Sequence, residues 1–144
     1  MKQLGYRPDL CVEAVQDGLP RVFEFIESIL LTVPCSEKER MQLLIAVEEI
    51  YVNIAKYAYG EENAGVVCIM AEIRNDPPHA AVRFKDEGTP WNPLLHEDPD
   101  IDLPTKEREP GGLGIFMAKK LVTVMEYECL DGQNILTLTK NFYE

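Results

Sequence analysis

The chain has few basic residues for its size, and this scarcity narrows the classes of partner it can bind. Its 144 residues include 14 Lys and Arg against 25 Asp and Glu, a formal net charge of −11. Nucleic acids and anionic membranes are polyanions, so this balance argues against a general binder of either. It leaves room for a local basic patch around a small anionic ligand.

The sequence also lacks the usual marks of export, membrane insertion and disulfide stapling. Its start, MKQLGYRPDL, has no apolar core of the signal-peptide kind, and no apolar run is long enough to cross a bilayer. The cysteines contain no C-x-x-C pair; they are Cys11, Cys35, Cys68 and Cys129. We therefore expect buried, reduced thiols in a cytoplasmic protein, with neither a disulfide nor a zinc framework.

The hydrophobic pattern predicts a single domain, residues 1–144, that combines helices with strands. The apolar fraction of 46% is ordinary for a globular protein. Apolar spacing predicts helices over 21–33, 41–60 and 115–122, and strands over 10–16, 66–74, 80–84, 123–130 and 134–140. Hairpin strands with interspersed helices predict an α+β fold, a two-layer α/β sandwich. Its helices cover one face of a mixed, mainly antiparallel sheet.

The predicted helix over 41–60 carries polar residues that do not fit its surroundings. It is apolar around most of its circumference, which is typical of a buried helix. Glu49, Asn53 and Lys56 nevertheless lie within roughly 60° of one another, at about 100° per residue. A buried charge is costly unless it is paired, so this arc is expected to face a cleft, a metal or a ligand. Glu48 points about 100° away from Glu49 and is expected at the surface or in an interface.

The residue types on this arc suit phosphate chemistry. Asn53 offers a neutral oxygen of the kind that Mg²⁺ accepts as a ligand. Glu49 could act as a general base towards a hydroxyl or water, and Lys56 could neutralise phosphate charge. The alternative is a solvated helix edge with an i,i+4 pair.

Two further segments could contact a ligand. The strand over 80–84 runs into DEGTP, residues 86–90, where Asp86 could accept a hydrogen bond from an exocyclic amine such as that of adenine. Gly88 would let a flat ligand approach the backbone. The alternative is an ordinary acidic turn.

The other segment is GGLG, residues 111–114, just before the third predicted helix. Free N–H groups and the dipole at a helix N-terminus favour phosphate there. The spacing matches neither G-x-x-x-x-G-K-[ST] nor G-x-G-x-x-G. The alternative is a flexible connector.

The order and spacing of these segments together resemble the ATP-binding domain shared by histidine kinases, type II topoisomerases and MutL. In that comparison Glu49 to Asn53 is the N box, Asp86 to Gly88 the G1 box and Gly112 to Gly114 the G2 box. The stretches AVEEIYVNIAKYAYG, DEGTPWNPL and GGLGI are similar to those of the anti-sigma-factor serine/threonine kinases. This resemblance covers nearly the whole chain.

The resemblance implies a Bergerat-type ATP-binding fold and a role for each motif residue. Asn53 would hold Mg²⁺, and Glu49 would be the base that activates an acceptor serine. Asp86 would read the adenine amino group, with Gly88 beside the base. The phosphates would be surrounded by Gly112, Leu113 and Gly114, with Lys56 nearby. Residues 91–110 would form a lid over ATP.

The implied partners are a sigma factor, held inactive, and an anti-anti-sigma protein that is phosphorylated on serine, with the kinase as a homodimer. Two alternatives stay open: a non-catalytic, nucleotide-dependent binding switch, and an interaction domain that has lost ATP. The sequence departs from the family pattern at Pro90, which replaces a second glycine. It also departs at residues 132–134, where GQN replaces a Gly-Thr pair.

Overall fold

Three α-helices and a five-stranded sheet make up the part of the chain that the computed structural model describes, residues 10–59, 65–75, 77–95 and 112–142. In chain order they are β1 (Leu10–Glu13), α1 (Leu19–Leu30), α2 (Glu37–Tyr57), β2 (Val66–Asn75), β3 (Pro78–Asp86), α3 (Gly112–Leu121), β4 (Val124–Leu130) and β5 (Gln133–Asn141). Short 3-10 helices occupy Gln16–Gly18 and Pro93–Leu95.

The sheet has the order β1-β2-β3-β5-β4, so the last described strand lies inside it. Every pairing among the described strands is antiparallel, whereas the sequence predicted a mixed, mainly antiparallel sheet. Inward side chains of the central strands are fully buried against the helices, as at Ile69, Phe84 and Leu138. The predicted two-layer α+β architecture is confirmed.

The helix boundaries follow from local sequence signals. Ser36 and Glu39 form the predicted capping box, with 3.0 Å from Glu39 N to Ser36 Oγ and 2.9 Å from Ser36 N to Glu39 Oε1. Pro20 lies in the first turn of α1, where a missing N–H costs nothing. The predicted start of the third helix at residue 115 is wrong, because the helix already begins at Gly112.

Tyr51 joins the middle of α2 to the end of β1. Its side chain is fully buried, and its hydroxyl lies 2.6 Å from the carbonyl oxygen of Val15 and 3.0 Å from that of Glu13. Burying a phenol is favourable only when its hydroxyl finds a partner, and here the chain turning out of β1 provides it. This contact fixes the position of α2 along the sheet.

The expectation of four reduced, buried thiols is wrong. Cys11 and Cys68 face each other directly across β1 and β2 and form a disulfide with an S–S distance of 2.05 Å. Both lie on the sheet face away from the helices, because their neighbours Val12 and Val67 point into the core. Cys35 and Cys129 are free, and Cys129 is exposed. No helix among the described residues is long and apolar enough to cross a membrane.

We expect the disulfide to stabilise the purified, oxidised protein, because it closes a loop with a sequence separation of 57 residues. Cys68→Ser should lower the free energy of unfolding by about 2–4 kcal/mol in a urea titration without reductant. Adding dithiothreitol should lower the stability of the wild type similarly and leave Cys68→Ser unchanged. Cys35→Ser is the matched control. Four titratable thiols in the native, air-oxidised protein would contradict the disulfide.

Candidate functional site

A pocket opens between α2 and the ends of β3 and β5 that lie next to each other. It encloses about 470 Å³, counting its open mouth. Its wall is largely apolar, with Ile54, Ile115 and Leu136 among the lining residues. The polar side chains that converge on it are Asn53, Asp86, Thr89, Tyr127 and Asn134. A mainly apolar pocket with a few convergent polar groups is typical of a small-molecule site.

Asn53 lines this pocket and carries an unusual buried atom. Its side chain is 8% exposed, and its Nδ2 donates to the carbonyl oxygen of Glu49 at 2.8 Å. Its Oδ1 is the one buried side-chain nitrogen or oxygen in the described ranges that has no hydrogen-bond partner. A buried acceptor without a partner is costly. A ligand that supplies a cation or a donor would remove that cost.

The unpaired oxygen of Asn53 fits the Mg²⁺ predicted from the sequence. Mg²⁺ prefers oxygen ligands and commonly takes few of them from the protein, with waters and substrate phosphates completing the shell. A site of three or more His, Cys, Asp or Glu side chains, which would suit another metal, is absent from the described residues. The chemistry of Asn53 Oδ1 therefore fits the predicted magnesium ion.

Glu49 lies one helical turn before Asn53 and faces the first turn of α3. A Cβ placed on Gly114 would lie 2.5 Å from Glu49 Oε1 and 3.5 Å from Asn53 Nδ2. Burial raises the pKa of the Glu49 carboxyl above its ordinary value; the charge of Glu48 adds to the rise, and that of Lys56 opposes it. A partly desolvated carboxylate with a raised pKa has the properties of a proton acceptor.

Asp86 ends β3 with a buried carboxylate at the pocket. Its Oδ1 accepts hydrogen bonds from Gly88 N at 2.8 Å and from Asn134 Nδ2 at 2.9 Å. The structure gives a second reason for glycine at position 88, since a Cβ there would collide with the carbonyl oxygen of Ala58 at the end of α2. The next residue, Thr89, donates its N–H to that same oxygen at 2.7 Å.

The phosphate-binding segment predicted at residues 111–114 is only partly described. Gly112, Leu113 and Gly114 form the first turn of α3 and are not a loop before it. The N–H groups of a first helical turn have no partner within the helix, so this turn can still bind an anion. Gly111 and residues 96–110 of the predicted lid lie outside the described residues. Trp91, at the start of that lid, lines the pocket.

Two residues of the polar arc on α2 do not converge on the pocket. Lys56 is exposed, and its visible influence is the electrostatic one on Glu49. Gln42, seven residues before Glu49 and therefore on the same arc of the helix, accepts a 2.8 Å hydrogen bond from Lys140 Nζ, which also donates to the carbonyl of Leu121 at 2.9 Å. Burial lowers the pKa of Lys140. Gln42 therefore belongs to a structural link between α2, α3 and β5.

Asn134 and Tyr127 are pocket residues that the motif argument did not select. Asn134 stands directly opposite Asp86 in the β3–β5 pairing. The sequence marked residues 132–134 only as a departure from the family pattern. The strand register, which pairs residues 48 positions apart, is what brings Asn134 to the site.

The profile of the histidine kinase-like ATPase domain matches residues 12–140. The chain belongs to this family. The name of the family, an ATPase domain, implies that its members bind ATP. This agrees with the resemblance found in the sequence. The matched span includes all the predicted site residues, from Glu49 to Gly114.

The chain is also similar to individual proteins, of which two are informative. A serine/threonine-protein kinase, BtrW, from Bordetella bronchiseptica is 23% identical over 117 residues, 81% of each protein. The crystal structure of the RsbU and RsbW domains of a Mycobacterium tuberculosis protein is similar with a TM-score of 0.64 at 16% identity. That match covers 94% of this chain but only 33% of the solved one, and it supports the fold alone.

Alanine at the two site glycines should have different effects, because different atoms oppose the new methyl group. Neither glycine has a positive φ, so the difference is steric. In Gly88→Ala the methyl meets backbone of α2, and we expect a loss of about 1–3 kcal/mol in the free energy of unfolding. In Gly114→Ala it meets the end of the Glu49 side chain, which can rotate away, so the loss should be smaller.

Urea denaturation of both variants measures this difference. Glu49→Ala combined with Gly114→Ala is the control, because it removes the opposing carboxylate and should restore any lost stability. Equal losses for Gly88→Ala and Gly114→Ala, unaffected by Glu49→Ala, would contradict this description of the site.

Proposed function

We propose that this protein is an ATP-dependent serine/threonine kinase of the anti-sigma type. It phosphorylates an anti-anti-sigma partner on serine and sequesters a sigma factor. The observation that carries the proposal is the unpaired, buried Oδ1 of Asn53, set beside a partly desolvated Glu49 and the glycine turn of α3. A metal ligand, a base and an anion-binding helix terminus in one place are what phosphoryl transfer requires.

Each part of the site has a separate task in this proposal. Bound ATP supplies the phosphoryl group, and Mg²⁺ offsets the charge on its phosphates. Asn53 holds the metal. Glu49 accepts the proton of the serine hydroxyl as the hydroxyl oxygen bonds to phosphorus and ADP leaves. The pKa of Glu49, raised by burial, makes it a stronger base than an exposed glutamate.

The remaining predicted residues bind and enclose the nucleotide. Asp86 accepts a hydrogen bond from the adenine amino group, and Gly88 lies beside the base. The turn formed by Gly112, Leu113 and Gly114 binds the phosphates through its backbone N–H groups. Lys56 adds positive charge near them. Residues 91–110 act as a lid that excludes water when ATP is bound.

Because the proposed partners act in the cytoplasm, the protein would act there too. By the same resemblance, it would be a homodimer. The BtrW relative, a serine/threonine-protein kinase, supports the enzymatic part of the proposal. Reducing conditions in that compartment favour thiols over disulfides, so assays should be run on the protein with and without reductant. The location and the oligomeric state rest on the proposed role.

Calorimetry with ATP, followed by a phosphorylation assay, tests the proposal. We expect ATP to bind in the presence of Mg²⁺, and Asn53→Ala to abolish the contribution of Mg²⁺ to affinity. Glu49→Gln should retain ATP binding but transfer no phosphate to serine of a candidate anti-anti-sigma protein. Glu48→Gln is the matched control and should stay active.

The possible results separate the competing functions. Serine phosphorylation that survives in Glu49→Gln would overturn the assignment of the base. Nucleotide-dependent partner binding without a phosphoprotein would indicate the non-catalytic switch. No ATP binding at millimolar Mg²⁺ would indicate an interaction domain.

Removing the charge of Lys56 and removing the charge of Glu48 should shift the pH dependence of turnover in opposite directions. A base works only when ionised, so activity falls as the pH drops through the pKa of Glu49. Lys56→Gln removes the charge that lowers this pKa and should move the acid limb of the profile to higher pH. Glu48→Gln removes the charge that raises it and should move the limb to lower pH. Shifts of the same sign in both variants would exclude Glu49 as the titrating base.

A further inference from the structure

Three polar side chains form a row across the inner face of the sheet at the pocket. Asp86 on β3 stands directly opposite Asn134 on β5, and Asn134 is opposite Cys129 on β4. Tyr127 lies two residues before Cys129, so it shares the inner face. The strand pairings therefore place Tyr127, Asn134 and Asp86 side by side, and all three line the pocket.

The hydrogen bonds in this row run in one direction. The Tyr127 hydroxyl donates to Asn134 Oδ1 at 2.6 Å. The Nδ2 of Asn134 then donates to Asp86 Oδ1 at 2.9 Å and to the carbonyl oxygen of Gly88 at 3.1 Å. Burial raises the pKa of Tyr127 above its ordinary value, which keeps its hydroxyl protonated and able to donate. If the Asn134 amide were rotated by 180°, its oxygen would face two acceptors, Asp86 Oδ1 and the Gly88 carbonyl oxygen. Its NH₂ would face the donating hydroxyl of Tyr127.

This row controls which oxygen of Asp86 is available. Asn134 and the N–H of Gly88 both donate to Oδ1. The other carboxylate oxygen, Oδ2, receives no hydrogen bond from the residues that the structure describes. Asp86, which lines the pocket, therefore keeps one carboxylate oxygen available to a ligand.

We propose that Tyr127 and Asn134 are the positioning residues that set base specificity. They hold Asp86 so that the site selects a purine with an amine at C6 over a purine with a carbonyl there. The inference rests on the proposed nucleotide binding and adds these two residues to it. A C6 amine donates to the free Oδ2. A C6 carbonyl places one acceptor against another and leaves Oδ2 unpaired inside the complex.

ATP and inosine triphosphate form the test pair, because their phosphates and ribose are the same and their bases differ only in the C6 group and in the proton on N1 that accompanies the carbonyl. Calorimetry in Mg²⁺ should show that the wild type prefers ATP by about 10- to 100-fold, the range expected for one hydrogen bond to a charged group. Tyr127→Phe and Asn134→Ala should reduce this ratio, mainly by weakening ATP binding. Tyr57→Phe is the matched control, since Tyr57 lines the same pocket outside the row.

The ratio distinguishes positioning from a merely structural role, because general loosening of the pocket would weaken both nucleotides equally. Tyr127→Phe removes one oxygen and decides the question if Asn134→Ala does not fold. A wild type that binds neither nucleotide would overturn the proposed function together with this inference. A wild type that prefers ATP, with the same ratio in both Tyr127→Phe and Asn134→Ala, would overturn this inference alone.

Discussion

The geometry of the site depends on how closely two chain segments approach helix α2. Gly88 lies against the carbonyl group of Ala58 at the end of α2, and Gly114 brings the first turn of α3 against Glu49. A larger residue at position 88 would push its segment away from α2, whereas one at position 114 would first displace the end of the Glu49 side chain. Both contacts are made to one rigid element, which Tyr51 in turn holds against the end of β1. The positions of Asp86 and of the α3 turn relative to Asn53 are thus set by packing before any ligand binds.

The site contains groups that weaken the fold. Burial makes the charged form of Glu49 costly, which raises its pKa, and Asn53 leaves one buried oxygen without a partner. These local costs are offset by the apolar core beneath them, where α2 packs on the sheet through residues such as Val47 and Ile50. Residues that are poorly satisfied in the free protein and suited to a ligand are expected at functional sites.

Features that depend on residues close together in the chain could be predicted from the sequence. Features that depend on residues far apart in the chain could not. The capping box at Ser36 and the polar arc that joins Glu49 to Asn53 lie within one helix, so spacing alone located them. The disulfide at Cys11 and the pairing of Asp86 with Asn134 depend on strand register over 57 and 48 residues. No local pattern specifies such a register. The start of α3 was missed because glycines are poor helix formers, whereas contact with α2 favours them there.

The position of β5 determines the order in which the parts of the site form during synthesis. This strand is made last among those described, yet it is inserted between β3 and β4. During synthesis on the ribosome, α2 and the β2–β3 hairpin emerge well before Asn134 does. Asp86 then ends an edge strand, and its carboxylate lacks one of its two donors. In a growing chain, the proposed recognition of a base therefore becomes possible only when the β4–β5 hairpin closes the sheet.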